Sequence, residues 1–195
     1  MSVATINVTS SGVPVNGMYT NGANSLDFST ASGFRMRMSS GGRLTIGDSS
    51  TITGSNSEAP NVQSLSNGTN AGYIAYRGGA VPQGASFHFT KSRNATVGGN
   101  TLVSAGDDLG RIVFDGANGT GYTPGAQIQA TVDGIPGATN DMPGRLTFFT
   151  TPDGSGTLAE RMYINQAGVA TINNLAGVGA RFVTADVSGN LSVFT

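Results

Sequence analysis

Two stretches of the chain, Arg35-Met36-Arg37-Met38-Ser39-Ser40-Gly41-Gly42-Arg43-Leu44-Thr45-Ile46 and Arg161-Met162-Tyr163-Ile164-Asn165-Gln166-Ala167-Gly168-Val169-Ala170-Thr171-Ile172, share an Arg-Met start, a glycine and a closing Thr-Ile in one register. Each reads as a short alternating strand, a turn in which Gly42 or Gly168 supplies a positive φ at little cost, and a second alternating strand. A fainter third copy runs Val183-Thr184-Ala185-Asp186-Val187-Ser188-Gly189-Asn190-Leu191-Ser192-Val193. A small β unit repeated along a chain predicts a rod of stacked modules, an architecture that is rarely enzymatic.

Composition agrees with strands. The 30 glycines in 195 residues are about twice the ordinary share of roughly 7%. Only 11% of residues are charged, so the chain is poor in the side chains that keep the outer face of a helix solvated. Turn signals such as Asn21-Gly22, Asn67-Gly68, Gly78-Gly79, Asp115-Gly116, Asp133-Gly134 and Asp153-Gly154 punctuate it throughout. The expectation is an all-β protein of short strands and hairpins in stacked modules, either β-sandwich-like or of a trimeric fibre type.

Several function classes are excluded on the same grounds. Without cysteine neither a disulfide framework nor a thiolate metal site can form. A net charge of −1 gives no electrostatic claim on nucleic acid or anionic lipid. The start, Met1-Ser2-Val3-Ala4-Thr5-Ile6-Asn7-Val8, lacks the basic n-region and apolar run of a signal peptide. No segment has the length of a membrane span, which predicts synthesis in the cytosol and no membrane insertion.

Three modules are expected: 1–54, with apolar positions Val3, Ile6 and Val8 and the first Arg-Met hairpin; 55–173; and a tail, 174–195, ending in the partial repeat. A Ser/Thr/Asn/Gly stretch at 47–61 reads as a linker or an ordered loop. Central strands are predicted at Tyr73–Tyr76, Ser86–Thr90, Arg111–Phe114, Ala126–Val132 and Arg145–Phe149. In the fourth of these, Ala126, Ile128, Ala130 and Val132 alternate with Gln127, Gln129 and Thr131, giving one apolar and one wet face. Such a face needs a cover, from another sheet or from identical subunits around an axis.

Catalytic chemistry has little to stand on. The single histidine, His88, sits between Phe87 and Phe89 with neither a second imidazole nor a thiol to complete a dyad or a metal site. The eleven carboxylates fall mostly beside turn residues, where aspartate bonds the nearby backbone, and they form no evident pair for glycoside cleavage. Asp115–Gly119 and Asp153–Gly156 lack the ligand spacing of a calcium loop. No catalytic, cofactor-binding or metal residue is therefore assigned, and the chain is expected not to be an enzyme.

Nine arginines accompany one lysine, Lys91. Arg35, Arg37, Arg145 and Arg161 lie inside predicted strands, where planar guanidinium groups can bond carboxylates or carbonyls across an interface. Arg35 and Arg161, at corresponding places in the repeat, are the inter-strand or inter-chain candidates. Alternation places them on the side away from Met36 and Met38, or Met162 and Ile164.

A set of segments then gives a resemblance: Gly17-Met18-Tyr19, Ala23–Phe28, Arg35–Met38, Gly106-Asp107-Asp108-Leu109-Gly110-Arg111-Ile112-Val113-Phe114-Asp115-Gly116, Val132–Gly137, Asp141–Phe148, Thr150–Ser155 and Glu160–Ile164. Together these resemble the shaft and pre-tip region of bacteriophage tail-fibre proteins, over most of residues 60–173. The resemblance implies a virion structural protein assembled in the host bacterial cytoplasm. It implies a homotrimeric tail fibre or tail/baseplate appendage for host attachment, with itself, other virion proteins and host-surface glycan as partners. In that family the module often precedes an intramolecular chaperone, to which nothing in these 195 residues corresponds. A head fibre, a capsid decoration protein, a glycan-binding head with loops 78–86 or 115–125, and a polysaccharide depolymerase stay open as alternatives.

Overall fold

The computed structural model describes residues 16–19, 25–30, 33–47, 52–55, 61–66, 72–80, 82–137, 140–175, 182–187 and 191–193. The positions Val3, Ile6 and Val8 lie outside them. The described residues are all-β, apart from one 3-10 turn at Asn173–Leu175. They belong to two compact units, Met1–Ser86 and Phe87–Thr195.

The first unit carries one five-stranded sheet in chain order: β1 (Asn16–Tyr19), β2 (Leu26–Thr30), β3 (Gly33–Met38), β4 (Leu44–Ile46) and β5 (Val62–Ser64). The first four strands form antiparallel neighbours, whereas β5 joins β4 in parallel. Parallel pairing requires a crossover, and the Ser/Thr/Asn/Gly stretch at 47–61 supplies it. Gln63 grips that crossover as a neighbouring strand would, its Oε1 accepting from the Ile52 N–H at 3.0 Å and its Nε2 donating to the Ile52 carbonyl at 2.9 Å.

The second unit repeats the plan with β6 (Asp108–Ala117), β7 (Tyr122–Val132), β8 (Gly144–Thr150), β9 (Ala159–Ile164) and β10 (Ala170–Ile172), an antiparallel meander also in chain order. A separate hairpin follows, β11 (Val183–Ala185) with β12 (Leu191–Val193). The expected strands at 111–114, 126–132 and 145–149 fall within β6, β7 and β8.

Tyr73–Tyr76 and Ser86–Thr90 do not form strands. Alternation favours a strand but only a ladder makes one, and these residues join none of the sheets. Tyr73, Ile74, Tyr76, Phe87 and Phe89 are all largely exposed. Phe89 nonetheless lies against Gly110, where any Cβ would collide with its side chain.

Candidate interaction surface

The repeat is exact at the level of register. In the first hairpin Met36 faces Ile46, Arg37 faces Thr45 and Met38 faces Leu44; in the second Met162 faces Ile172, Tyr163 faces Thr171 and Ile164 faces Ala170. Both five-residue loops close identically. The N–H of Ser39 donates to the Arg43 carbonyl at 2.9 Å and that of Gly42 to the Ser39 carbonyl at 2.9 Å; Asn165 and Gly168 make the matching bonds to Val169 and Asn165 at 3.1 and 2.9 Å. Gly42 and Gly168 hold φ of 74° and 77°, where a side chain is strained.

The first loop residue does work that sequence reading missed. Ser39 Oγ accepts the Arg43 N–H at 3.1 Å, and Asn165 Oδ1 accepts the N–H groups of Ala167 and Val169 at 3.0 and 2.9 Å. Asp186 stands first in the third loop, between Ala185 and Leu191, which pair across the same five-residue gap. A Ser, Asn or Asp at this place was the legible signal, because these side chains bond backbone amides a few residues on.

Arg35 and Arg161 occupy a second matched feature, a β-bulge. Phe28 pairs with Met36 and Ser29 with Phe34, so Arg35 is the extra residue of β3. Phe148 pairs with Met162 and Phe149 with Glu160, so Arg161 is the extra residue of β9. A bulge resets alternation, which corrects the expected orientation of Arg161. Its Nε donates to Thr150 Oγ1 at 2.8 Å, and Thr150 shares a face of β8 with Leu146 and Phe148. The guanidinium thus stands at the rim of the apolar layer, not opposite it, and both arginines are exposed.

Arg37 and Arg145 pair inside their own sheets. Arg37 and Asp27, direct cross-strand neighbours, make a bidentate pair at 2.8 and 2.6 Å, with Ser25 Oγ donating to Asp27 at 3.2 Å. Asp27 is 0% exposed. Arg145 bonds Glu160 at 2.7 Å and lies over the Tyr163 ring, 3.5 Å from its centroid.

These pairs belong to an inverted burial pattern. Asp27, Arg37, Thr45 and Gln63 form one row across β2 to β5, and Asp27, Thr45 and Gln63 are buried. The opposite face of that sheet carries Met18, Phe28, Met36, Met38, Leu44, Ile46 and Val62, and Met38 and Val62 are 51% and 63% exposed. In the second unit Gln127 and Thr147 are buried on the polar face, while Ile112, Phe114, Leu146 and Ile164 on the apolar face are exposed. Among the described residues only Val103 and Val132 are buried hydrophobics.

Among the described residues no group of three or more His, Asp and Glu side chains could hold a metal ion. Asn118 Oδ1 accepts from Thr120 and Gly121, and Asp153 Oδ1 from the Gly154 N–H, so both suspected calcium loops use their side chains to build turns. His88 is exposed and outside any strand. A hollow of about 500 Å³ is walled by the 90–103 loop and Met142. That loop is clipped to the start of β6 by Arg93 and Asp107, bonded at 2.7 and 2.6 Å. The Arg93 guanidinium and the Ser104 N–H hold the Asp107 carboxyl far below the usual carboxylate range.

No family model and no curated protein matches the chain. Solved structures do. The carboxy-terminal domain of the bacteriophage T5 L-shaped tail fibre aligns with a TM-score of 0.55 at 17% identity, over 85% of this chain and 69% of that one. The same domain with its intra-molecular chaperone domain aligns with a TM-score of 0.58 at 15% identity, over 88% of this chain and 50% of that one. The chain shares the fold of a phage tail-fibre domain. It spans half the length of the chaperone-bearing form.

Proposed function

We propose that the chain is a structural protein of a phage virion, a homotrimeric tail-fibre or tail/baseplate appendage that takes part in host-surface attachment. One observation carries this reading: both five-stranded sheets bury their polar face and leave an apolar face open. The chain exposes 14186 Å², against roughly 10,000 Å² for two separate compact bodies of half its mass each. Apolar area left in water forfeits about 25 cal/mol per Å², so association is strongly favoured. Identical hairpin register in the two units favours a partner with the same repeat, which a second copy of the chain has. The fold shared with a tail-fibre domain supports the virion assignment, and the number three comes from the sequence resemblance to tail-fibre shafts.

In the trimer the exposed bulge arginines Arg35 and Arg161 reach the carbonyls or carboxylates of the adjacent copy, and the Gly42 and Gly168 turns fix the hairpins that carry them. Light scattering on dilute protein should report three chains, and Arg161→Ala trimers should dissociate at lower temperature than the parent. A stable, folded monomer overturns the assembly reading. Antibody labelling of virions in electron micrographs should decorate the tail; label confined to the capsid would overturn the tail placement.

A further inference from the structure

Pairing carries the repeat beyond the Arg-Met hairpin. Met18 faces Phe28 as Ile128 faces Phe148, and Met38 faces Leu26 as Ile164 faces Leu146. Strands β1 to β4 therefore correspond to β7 to β10 in order. At these two places the apolar faces differ by the same exchange: where the second unit has isoleucine, the first has methionine. Met36 and Met162 occupy a third matched place, facing Ile46 and Ile172. Four of the six methionines of the chain thus stand on the two faces, three of them in the first unit.

Methionine packs as an apolar side chain but, unlike isoleucine, is turned into a polar one by peroxides. Met18 and Met38 are 37% and 51% exposed, whereas Met36 and Met162 are half-buried. We propose that Met18 and Met38 are modification sites, at which peroxide oxidation of the unassembled chain blocks association through the first unit's apolar face. With hydrogen peroxide the sulfur lone pair attacks one oxygen, the O–O bond breaks, and the second oxygen leaves as water; the thioether is oxidised to a sulfoxide and the peroxide reduced.

The new S–O group is an acceptor placed among side chains that cannot donate. Met38 stands between Leu26 and Leu44, and Met18 opposite Phe28. Burying an acceptor without a donor is costly, and a closed symmetric assembly repeats that cost in every copy. The proposal rests on the reading of the apolar face as the contact between copies. The block is reversible, because sulfoxide reductases return methionine.

Hydrogen peroxide is added to full-length protein either early, as it refolds from urea at low concentration, or late, after assembly, and the products are followed by light scattering and peptide mass mapping. The early pulse should place sulfoxide at Met18 and Met38 and raise the concentration needed for half-assembly at least about tenfold; reductases acting on both sulfoxide epimers should reverse this. The late pulse should spare both while oxidising Met142, which is 52% exposed between β7 and β8. Met18→Ile with Met38→Ile, the residues of the second unit, should assemble after the early pulse. Met18→Gln with Met38→Gln should keep the parental circular dichroism yet assemble poorly without peroxide. Early-pulsed trimers that form normally, whether or not Met18 and Met38 carry sulfoxide, or a double isoleucine variant disabled as strongly as the parent, overturn the switch and leave the trimer standing. Untreated protein that stays monomeric overturns both.

Discussion

The Asp27–Arg37 pair offers the sharpest test of the inverted sheet. Asp27 is wholly buried and Arg37 is 22% exposed at its side chain, so the carboxylate has no bulk water in reserve and the guanidinium has little. Replacing Asp27 with Leu leaves a guanidinium against a face built for a carboxylate. Removing one partner of a buried pair costs about 3–5 kcal/mol, and the partial exposure of Arg37 puts this variant near the lower figure. Arg37→Met is expected at the upper one, since the carboxylate that loses its counter-charge is the more deeply buried. Replacing both removes the two charges together and should cost little, on the order of 1 kcal/mol or less, giving a coupling of roughly 7 kcal/mol. Urea denaturation followed by circular dichroism on the four proteins closes the cycle. For a unit of this size each kcal/mol shifts melting by about 4–8 °C, so the single variants should melt at least 10 °C lower. The double variant removes both charges from the polar row and leaves Thr45 and Gln63, so a one-residue slip is punished less, and its amides should exchange faster despite near-parental stability. Single variants that melt with the parent, or a double variant whose loss equals the sum of the singles, would refute the claim that the polar row holds the sheet.

The loop glycines should separate strain from crowding. At Gly42 and Gly168 a Cβ would meet nothing within 4 Å, so valine is expected to cost only the left-handed backbone penalty, about 1–2 kcal/mol, and asparagine much less; equal melting of the valine and parental proteins would contradict this. Loop 90–103 should respond to acid. Because the Asp107 carboxyl is held below its ordinary value of 3.8, its contribution is complete above that value and is lost as pH falls through the depressed range. Amide exchange at Ser104 should therefore accelerate in strong acid, and in Asp107→Asn it should be fast at every pH.

How much of this was legible in the chain follows from what kind of interaction sets each feature. The hairpins were, because a glycine turn and flanking alternation are local: Gly42, Gly168 and the strands around them are specified within a dozen residues. The polar row was not, since Asp27, Arg37, Thr45 and Gln63 are separated by crossings that only pairing brings into line. Alternation also said nothing of which face would be buried. It marked Gln127, Gln129 and Thr131 as wet by their chemistry, yet Gln127 is buried and Ile112 is not. Inside a monomer that order is backwards, and it is the order that the proposed trimer requires, with the apolar layer kept for the contact between copies. The bulges at Arg35 and Arg161 were hidden differently. One extra residue in a pairing register leaves no trace in either sequence alone, and appears only when Phe28 and Ser29, or Phe148 and Phe149, are counted against their partners. That the same residue type fills the bulge in both copies makes the bulge part of the Arg-Met repeat, and at Arg161 it turns the guanidinium onto Thr150 at the rim of the apolar face.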